Sequence, residues 1–305
     1  DLQARQLIAR ALEVLAAKVN AFEFGMWLYC FSLVVLLLAV GTQRPTLRLA
    51  GAGLLVAALL LHAFGFVSRC IIAERFAIQN QFESMTGVSL FAATLGLGLM
   101  VARRQPLFGA AAAGVGFLIL TAATQTGIPG QTIEREAAIL NTSVLLKYHV
   151  TTVLVSYGLI ALGFILSLFY LATHYLSARA DTTLAIAGGA TASGGAASAS
   201  RIRTLADLDA AQLIVLQLAF WTLGTGTLLG AWWADHSWGR WWAWDPKETW
   251  ALVTWIVYLV VIHVRLMGLK DKGKTTAWLS VVGFFIMLWT YFGVNLLLPG
   301  LHAYA

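Results

Sequence analysis

Residues 149–172, HVTTVLVSYGLIALGFILSLFYLA, contain no Asp, Glu, Lys or Arg. A helix needs about 20 mostly apolar residues to cross the hydrocarbon core of a membrane, because each residue adds only about 1.5 Å. This stretch is long enough and apolar enough to do so. It predicts a membrane-spanning helix that carries one histidine, His149, at its N-terminal end.

Seven other segments share this character, so the sequence predicts an all-α fold, a polytopic membrane helical bundle with about eight transmembrane helices. The seven are 24–40, 46–67, 87–102, 107–125, 212–234, 250–268 and 278–298. Hydrophobic residues make up 59% of the 305 and charged residues only 11%, whereas soluble domains carry about 25% charged residues. The composition therefore excludes an ordinary soluble domain.

The net charge of +6 is interpreted as a topology signal and not as a nucleic-acid surface, because positive loops of membrane proteins face the cytoplasm or its equivalent. The connections between spans alternate in Lys and Arg content, and the richer set includes Arg103, Arg104 and the run 270–274. The poorer set is predicted to lie on the outer side. It comprises segments 126–148 and 235–250 and the C-terminal tail.

Four regions are predicted along the chain. Residues 1–23 resemble an amphipathic surface helix, and 24–172 hold the N-terminal membrane helices. Residues 173–211 are predicted to be a flexible linker on the cytoplasmic side, since their central part is rich in Gly, Ala and Ser, a composition that stays flexible in water. Residues 212–305 hold the C-terminal membrane helices.

The two cysteines, Cys30 and Cys70, form no CxxC motif, and the chain has no CxxCH. A thioredoxin-type redox motif and a thiolate metal site within this chain are therefore excluded. The protein is also not itself a c-type cytochrome.

Residues 238–250, WGRWWAWDPKETW, form what we call the tryptophan segment. Its part 245–248, Asp-Pro-Lys-Glu, predicts the start of a helix, with Asp245 as the N-cap, Pro at the first position and Glu at the third. Asp245 therefore has a structural interpretation that requires no ligand.

The tryptophans themselves are harder to explain by structure alone. Seven of the 12 Trp residues lie between positions 232 and 250. A belt of interfacial aromatic residues would be spread over all the helix ends. The concentration favours a binding surface for a flat aromatic ligand such as a porphyrin, although an ordinary belt stays an alternative.

The tryptophan segment and its continuation, Trp-Gly-x-Trp-Trp-x-Trp-Asp-Pro-Lys-Glu-x-Trp-Ala-Leu, resemble the WWD domain of the haem-handling proteins of cytochrome c maturation. Within that family the motif is similar to the CcsA-type subunits of the System II cytochrome c synthase. Two further stretches agree, YFGVNLLLPGLHAY at 291–304 and IQNQFESM at 78–85, where Phe82 replaces the usual Tyr. Asp235-His236 departs from a more usual Asn-Glu, and the 78–85 element lacks the usual Pro.

The resemblance implies an integral protein of the bacterial inner membrane or the thylakoid membrane that binds haem b. It implies that haem is translocated or presented at the outer face. With a CcsB-type partner, the protein would attach haem covalently to the CxxCH of apocytochrome c, the activity of a cytochrome c synthase of the haem lyase type. Two alternatives stay open: a haem exporter or chaperone without ligase activity, and a membrane scaffold with an aromatic belt.

The resemblance also implies the residues that hold haem. Neutral imidazole is a common axial ligand of haem iron, and His149 and His302 flank the WWD domain at the outer side. Arg240 is a candidate to meet the propionates, as is Lys247, although Lys247 could equally be an exposed helical residue. The full implied set is His149, His302, His263, Trp238, Trp241, Trp242, Trp244, Asp245 and Arg240.

The other histidines differ in predicted depth. His263 lies roughly 20 Å below the outer end of its span at about 1.5 Å per residue; the resemblance implies a transmembrane haem ligand, and the alternative is a hydrogen bond to a neighbouring helix near Arg265. His62 is only ~8 Å deep by the same rise, so the second transmembrane ligand is expected from the CcsB-type partner. His236 is a weak alternative ligand, and His174 is expected to be solvated at the inner face.

Overall fold

A computed structural model describes residues 11–12, 14–15, 19–128, 130–133, 143–186, 192–267 and 269–300 of the chain. Eight helices within these ranges are long and apolar enough to cross a membrane, and the same ranges contain no strand. The prediction of an all-α, polytopic membrane protein with about eight transmembrane helices is confirmed.

The helices are α1 (Ala21–Thr42), α2 (Pro45–Ile72), α3 (Gln81–Arg103), α4 (Pro106–Gln125), α5 (Val144–Ile186), α6 (Ala192–Trp238), α7 (Pro246–Val264) and α8 (Lys272–Leu288). α8 continues into a π-helical turn, Trp289–Gly293, and a last α-helical turn, α9 (Val294–Leu297). Local chemistry sets several of these boundaries. A proline occupies the first turn of α2, α4 and α7, where a missing N–H is tolerated. Asn80 caps α3, since its Oδ1 accepts a hydrogen bond of 2.8 Å from the Glu83 amide.

Most membrane helices are longer than the apolar pattern predicted, and the extensions of α2 and α3 share one feature. α2 continues past residue 67 to Ile72, and α3 begins at Gln81 instead of residue 87. Both extensions carry a charged residue, Arg69 in α2 and Glu83 in α3, and these two side chains form a salt bridge of 3.0 Å. Because these two opposite charges are paired, both helices can continue beyond the apolar run, where a charged residue would otherwise mark the end of a span.

The two regions predicted to lie outside the membrane helices are described only in part. Of the predicted surface helix, 1–23, the last three residues belong to α1, and most of the rest lies outside the described residues. Within the predicted linker, 173–211, α5 runs to Ile186 and α6 begins at Ala192. Residues 187–191 lie outside the described part of the chain.

The chain divides into two compact units. Unit 1 comprises residues 1–158 and 228–241, and unit 2 comprises residues 159–227 and 242–305. Helices α1 to α4 belong to unit 1, helices α7 to α9 belong to unit 2, and α5 and α6 contribute residues to both.

Small residues bring the helices of unit 1 close together. Every residue of α4 from Leu107 to Gly116 is buried. An added Cβ on Gly116 would lie 2.9 Å from the ring of Tyr29, and one on Gly96 would lie 2.7 Å from the Cβ of Ala112. Membrane helices gain most from such close packing, because lipid tails are as apolar as the side chains they replace.

Polar contacts tie the helices of unit 2 together. The Arg265 guanidinium at the end of α7 donates two hydrogen bonds, of 2.8 and 2.7 Å, to the carboxylate of Asp209 in α6. The Trp255 indole of α7 donates to the Phe220 carbonyl of α6 at 3.2 Å. These contacts fix α7, whose first turn completes the tryptophan segment.

Candidate functional site

The tryptophan segment connects α6 to α7. Helix α6 ends at Trp238, and Gly239 follows with a φ of 70°, the left-handed conformation that commonly ends helices. α7 begins at Pro246 with the predicted capping box, in which Asp245 caps the helix and Glu248 accepts a hydrogen bond from the Asp245 amide at 3.3 Å. The Glu248 carboxylate also accepts from the Ala243 amide at 2.9 Å. The end of the segment is therefore fixed by backbone hydrogen bonds, and the capping prediction is confirmed.

The tryptophans differ sharply in exposure. Trp233 is 3% exposed and packs edge-to-face on Trp238 at 4.9 Å, both in unit 1. Trp241 is 55% exposed and Trp244 is 70% exposed. Each of these two rings leaves flat apolar surface that other side chains do not cover.

Trp244 also has an uncommon backbone conformation, with a φ of 59°. A non-glycine residue in the left-handed region costs about 1–2 kcal/mol. Such strain is concentrated at functional sites, because it persists only where the surroundings hold it. The capping box at Asp245, the next residue, restrains the backbone and so maintains this conformation.

Trp242 has a different environment. Its ring lies edge-to-face with Trp244 at 5.9 Å. Its indole N–H is buried and has no acceptor among the described residues. Buried polar groups are nearly always hydrogen-bonded, so this donor suits an acceptor group of a bound ligand. Arg240, two positions earlier, is exposed.

α9 packs against the start of α7. Lys247 Nζ donates to Asn295 Oδ1 at 2.7 Å, and the Lys247 residue is half-buried. The alternative that Lys247 is an exposed helical residue is therefore wrong. An added Cβ on Gly300 would lie 2.5 Å from Asp245 Oδ1, so the chain after α9 runs beside the cap of α7. Both contacts lie within unit 2.

A π-helical turn lies between α8 and this contact. Its first residue, Trp289, lies 5.8 Å from Trp250, ring centre to ring centre. Its Thr290 hydroxyl makes a hydrogen bond of 2.8 Å with that of Thr254 in α7. Single π turns within helices often occur at functional sites, and this turn supports the helix that follows the tryptophan segment.

The two histidines implied as outer haem ligands are described unequally. His149 lies in the second turn of α5, is half-buried, and packs against Gly230 of α6. Both residues belong to unit 1. His302 lies outside the described residues, which end at Gly300.

His263 lies near the C-terminal end of α7, roughly 25 Å along the helix axis from Pro246 at 1.5 Å per residue. Its ring is exposed, and its Nδ1 makes a hydrogen bond of 2.8 Å with the Leu259 carbonyl of its own helix. The alternative, a hydrogen bond to a neighbouring helix near Arg265, is wrong for the described residues, because the ring bonds to its own helix. A backbone bond at Nδ1 fixes the tautomer in which Nε2 keeps its lone pair for a metal.

His62 is completely buried in unit 1. Its Nδ1 lies 3.2 Å from the Tyr29 hydroxyl, and its Nε2 lies 3.1 Å from the Thr86 carbonyl. Because α2 continues to Ile72, His62 lies roughly 15 Å from the end of its helix at 1.5 Å per residue, whereas the end of the apolar run had placed it about 8 Å from the end of its span. Both ring nitrogens have partners, so His62 has a structural interpretation.

The remaining two histidines lie against aromatic rings. His236 is exposed, and its Nδ1 makes a 3.0 Å hydrogen bond with the Trp232 carbonyl. His174 is half-buried, stacked on Tyr170 at 6.2 Å and edge-to-face with Tyr175 at 5.2 Å. The expectation that His174 is solvated was therefore only partly right.

A charged cluster in unit 1 was not predicted from the sequence. The Glu83 carboxylate is fully buried and accepts hydrogen bonds from Arg69 at 3.0 Å and from Arg75 at 2.6 and 3.1 Å. The Arg69 guanidinium also donates to three consecutive carbonyls, those of Gly130, Gln131 and Thr132. The signal that could have indicated this cluster is the presence of both charge signs in the short stretch 69–83 between two apolar spans.

Comparisons with known proteins support the family resemblance that the tryptophan segment indicated. A family model described as cytochrome C assembly protein matches residues 19–302. Curated relatives named cytochrome c biogenesis protein CcsA are similar over a shorter stretch. One from Prochlorococcus marinus (strain NATL1A) is 46% identical over 97 residues, which is 32% of this chain and 30% of the relative.

Relatives from eukaryotes match to the same degree. The protein of Panax ginseng is 45% identical over 104 residues, 34% of this chain and 32% of the relative. That of Chlamydomonas reinhardtii is 45% identical over 98 residues, 32% of this chain and 28% of the relative. In each case the match spans about a third of the length of the curated relative.

Proposed function

We infer the function from one premise: the chain belongs to the cytochrome c assembly protein family, whose model matches residues 19–302. We propose that the protein binds haem b at the outer face of its membrane, periplasmic or lumenal. We propose further that, with a CcsB-type partner, it attaches this haem covalently to the CxxCH of apocytochrome c. Haem is the substrate in this reaction, and the enzyme is a cytochrome c synthase of the haem lyase type.

The observation that carries the proposal is the backbone conformation and exposure of Trp244 in the tryptophan segment. Trp244 holds an energetically costly backbone conformation and leaves 70% of its surface exposed. Neither feature stabilises the protein on its own. A porphyrin face laid against Trp244 would cover apolar surface, which contributes about 25 cal/mol for each Å² removed from water.

Polar groups beside these rings suit the edge of a haem. The Trp242 indole N–H is buried and lacks an acceptor among the described residues, and a propionate oxygen would supply one. Arg240 is exposed on the same segment and can meet the second propionate as a charge-assisted pair. Lys247 is a weaker candidate to meet a propionate, because its ammonium group already donates a hydrogen bond to Asn295.

The axial ligands are proposed to be His149 and His302. The assignment comes from the sequence resemblance, and the half-buried position of the His149 ring on α5 is compatible with it. Trp238, Trp241, Trp242 and Trp244 are proposed to flank the ring, and Asp245 to keep α7 capped beside them. Two imidazoles would hold the iron six-coordinate until the substrate arrives.

His263 is proposed to hold haem in transit from the inner side. Its ring is exposed on a membrane helix and hydrogen-bonds only to its own helix among the described residues. An ionisable residue within a membrane helix usually faces another helix or a cavity, so this side of α7 is proposed to contact the CcsB-type partner. The second transmembrane ligand would come from that partner.

The attachment step needs no redox chemistry within this chain. The CxxCH histidine of the apocytochrome replaces one axial imidazole, which brings the two thiols beside the vinyl groups. Each thiol adds across a vinyl double bond: sulfur bonds to one carbon, the hydrogen goes to the other, and a thioether results. The contribution of the protein is to hold haem in this geometry, and the reactive groups belong to haem and substrate.

Absorption spectroscopy of the detergent-purified chain tests the proposal. A Soret band with a haem content near stoichiometric is expected, and a preparation without a Soret band would contradict both haem binding and haem attachment. Co-expression with a CcsB-type partner and a CxxCH substrate then separates the two functions. Covalent haem staining of the substrate supports the synthase, whereas haem bound to the chain without staining supports the exporter or chaperone.

A further inference from the structure

The connection from α7 to α8, residues 265–271, lies at the end of α7 that is opposite to the tryptophan segment. α7 has 19 residues, so its two ends are roughly 28 Å apart at about 1.5 Å per residue, close to the ~30 Å thickness of a bilayer hydrocarbon core. Leu266, Met267 and Leu269 in this connection are 79%, 56% and 40% exposed. This end of unit 2 therefore presents apolar surface at the depth where membrane helices meet the lipid headgroups.

Positive charge is concentrated at the same end of unit 2. The ten residues from Arg265 to Lys274 contain one arginine and three lysines against one aspartate. Arg265 is paired with a carboxylate of α6, and the Lys272 ammonium donates to the Arg265 carbonyl at 3.1 Å. Lys270 and Lys274 form no ion pair with any described residue. Two positive charges thus remain for a partner outside the described residues.

Two aromatic residues lie beside Lys274. Its Nζ is 5.7 Å from the centre of the Tyr175 ring, which belongs to α5. Trp278, one turn later on α8, donates from its indole N–H to the Tyr175 hydroxyl at 3.4 Å. The Tyr175 and Trp278 side chains are 46% and 49% exposed. Such half-exposed Tyr and Trp residues are typical of the membrane–water interface, because one end of the ring is apolar and the other is polar.

We propose that Lys270, Lys274, Tyr175 and Trp278 form a binding site for the phosphate headgroup of an anionic phospholipid. The two ammonium groups supply charge-assisted hydrogen bonds to the phosphate, and the aromatic pair lies at headgroup depth. The exposed apolar side chains of 265–271 lie against the acyl chains. A zwitterionic lipid carries its own cation next to the phosphate, so the two lysines favour the anionic lipid. This inference does not rest on the proposed function, because it uses none of the residues assigned to haem.

Native mass spectrometry of the detergent-purified full chain tests the proposal. The probes are phosphatidylglycerol and phosphatidylcholine with identical acyl chains, and the wild type should bind phosphatidylglycerol more tightly. Each basic residue near a membrane surface strengthens anionic-lipid binding about fivefold. We therefore expect Lys274→Gln to weaken phosphatidylglycerol binding about fivefold and Lys270→Gln with Lys274→Gln about 25-fold. Equal affinity of the wild type for the two lipids would overturn the proposal.

Two further variants separate a defined site from general surface charge. Arg104→Gln is the matched control, since Arg104 is an exposed basic residue that follows α3 in unit 1, and it should keep the wild-type affinity. Lys274→Arg keeps the charge and the contact with the Tyr175 ring, so it should also keep that affinity. An equal loss in Lys274→Gln and Arg104→Gln, or in Lys274→Gln and Lys274→Arg, would contradict the site.

A competition experiment identifies the source of the phosphate. Glycerol 3-phosphate has the phosphate ester of the lipid but no acyl chains. In excess it should leave phosphatidylglycerol bound, because the acyl chains contribute contacts with the apolar side chains of 265–271. Displacement of the lipid would instead identify a free phosphate ester as the ligand and would overturn the lipid assignment.

Discussion

Replacing Glu83 by glutamine keeps the shape of a fully buried side chain and removes its charge. In the wild type one carboxylate serves two guanidinium groups, those of Arg69 and Arg75, whose side chains are 7% and 9% exposed. The Gln79 amide donates to the same carboxylate at 3.0 Å. The variant removes the one carboxylate charge that both buried guanidinium groups share.

The size of the effect follows from this geometry. Removing one partner from a buried ion pair costs about 3–5 kcal/mol. Because two arginines depend on Glu83, we expect about 4 kcal/mol, which is roughly a thousandfold change in the unfolding equilibrium. For a unit of this size that corresponds to a fall in melting temperature of about 10 °C.

Thermal unfolding can be followed with a thiol-reactive fluorogenic dye. Cys70 is half-buried beside Arg69, and its sulfur accepts a hydrogen bond from the Ala77 amide at 3.3 Å. With the other free thiol, Cys30, replaced by alanine in every variant, the dye reports opening at the cluster itself. Glu74→Gln is the matched control, since Glu74 is exposed and surface substitutions usually change stability by less than about 0.5 kcal/mol. If Glu83→Gln melted with the wild type and the control, the assigned role of the cluster would be wrong.

Three further changes test other parts of the molecule. Asp245→Ala should destabilise α7 by about 1 kcal/mol through loss of the cap, seen as a lower melting temperature, and an unchanged melt would contradict the capping role. Trp244→Gly removes a left-handed cost of about 1–2 kcal/mol, so its melting temperature should not fall while its haem content does; retained haem would contradict the binding role of the ring. His263→Ala should keep its melting temperature but deliver less haem to the outer site. His62→Ala should lower stability by about 2 kcal/mol or more without lowering haem per folded protein. Lower stability with normal haem in His263→Ala, or normal stability with less haem in His62→Ala, would contradict these two roles.

The sequence predicted those features that depend on local chemistry. Apolar runs predicted the eight helices, because the length needed to cross a membrane is fixed. The Asp245-Pro246-Lys247-Glu248 stretch predicted the start of α7, because the groups that satisfy the first free amides are close in sequence.

Features that depend on distant residues were not predictable from the sequence. The buried pairs Arg69–Glu83 and Arg265–Asp209 join different helices, and no periodicity indicates which charges will meet. The end of α2 was misjudged for this reason, since Arg69 marked the end of an apolar run but not the end of the helix. The left-handed conformation of Trp244 is equally hidden, because tryptophan is not a residue that favours positive φ.

The candidate site was predicted at the level of residue types. The concentration of tryptophans indicated a surface for a flat ligand, and the structure adds that Trp232, Trp241 and Trp244 are the exposed members. The contact between His149 and Gly230 could not be foreseen, because it depends on how α5 and α6 pack 81 positions apart in sequence.

The absorption spectrum of the purified chain, recorded for the wild type and for His149→Ala, tests the central claim most directly. The wild type should show the Soret and α bands of six-coordinate haem. His149→Ala should lose most of its haem or change its ligation, and added imidazole should partly restore the wild-type bands by filling the vacant axial position. A wild-type chain without haem, or a His149→Ala spectrum identical to that of the wild type, would contradict the claim that this protein holds haem iron through His149.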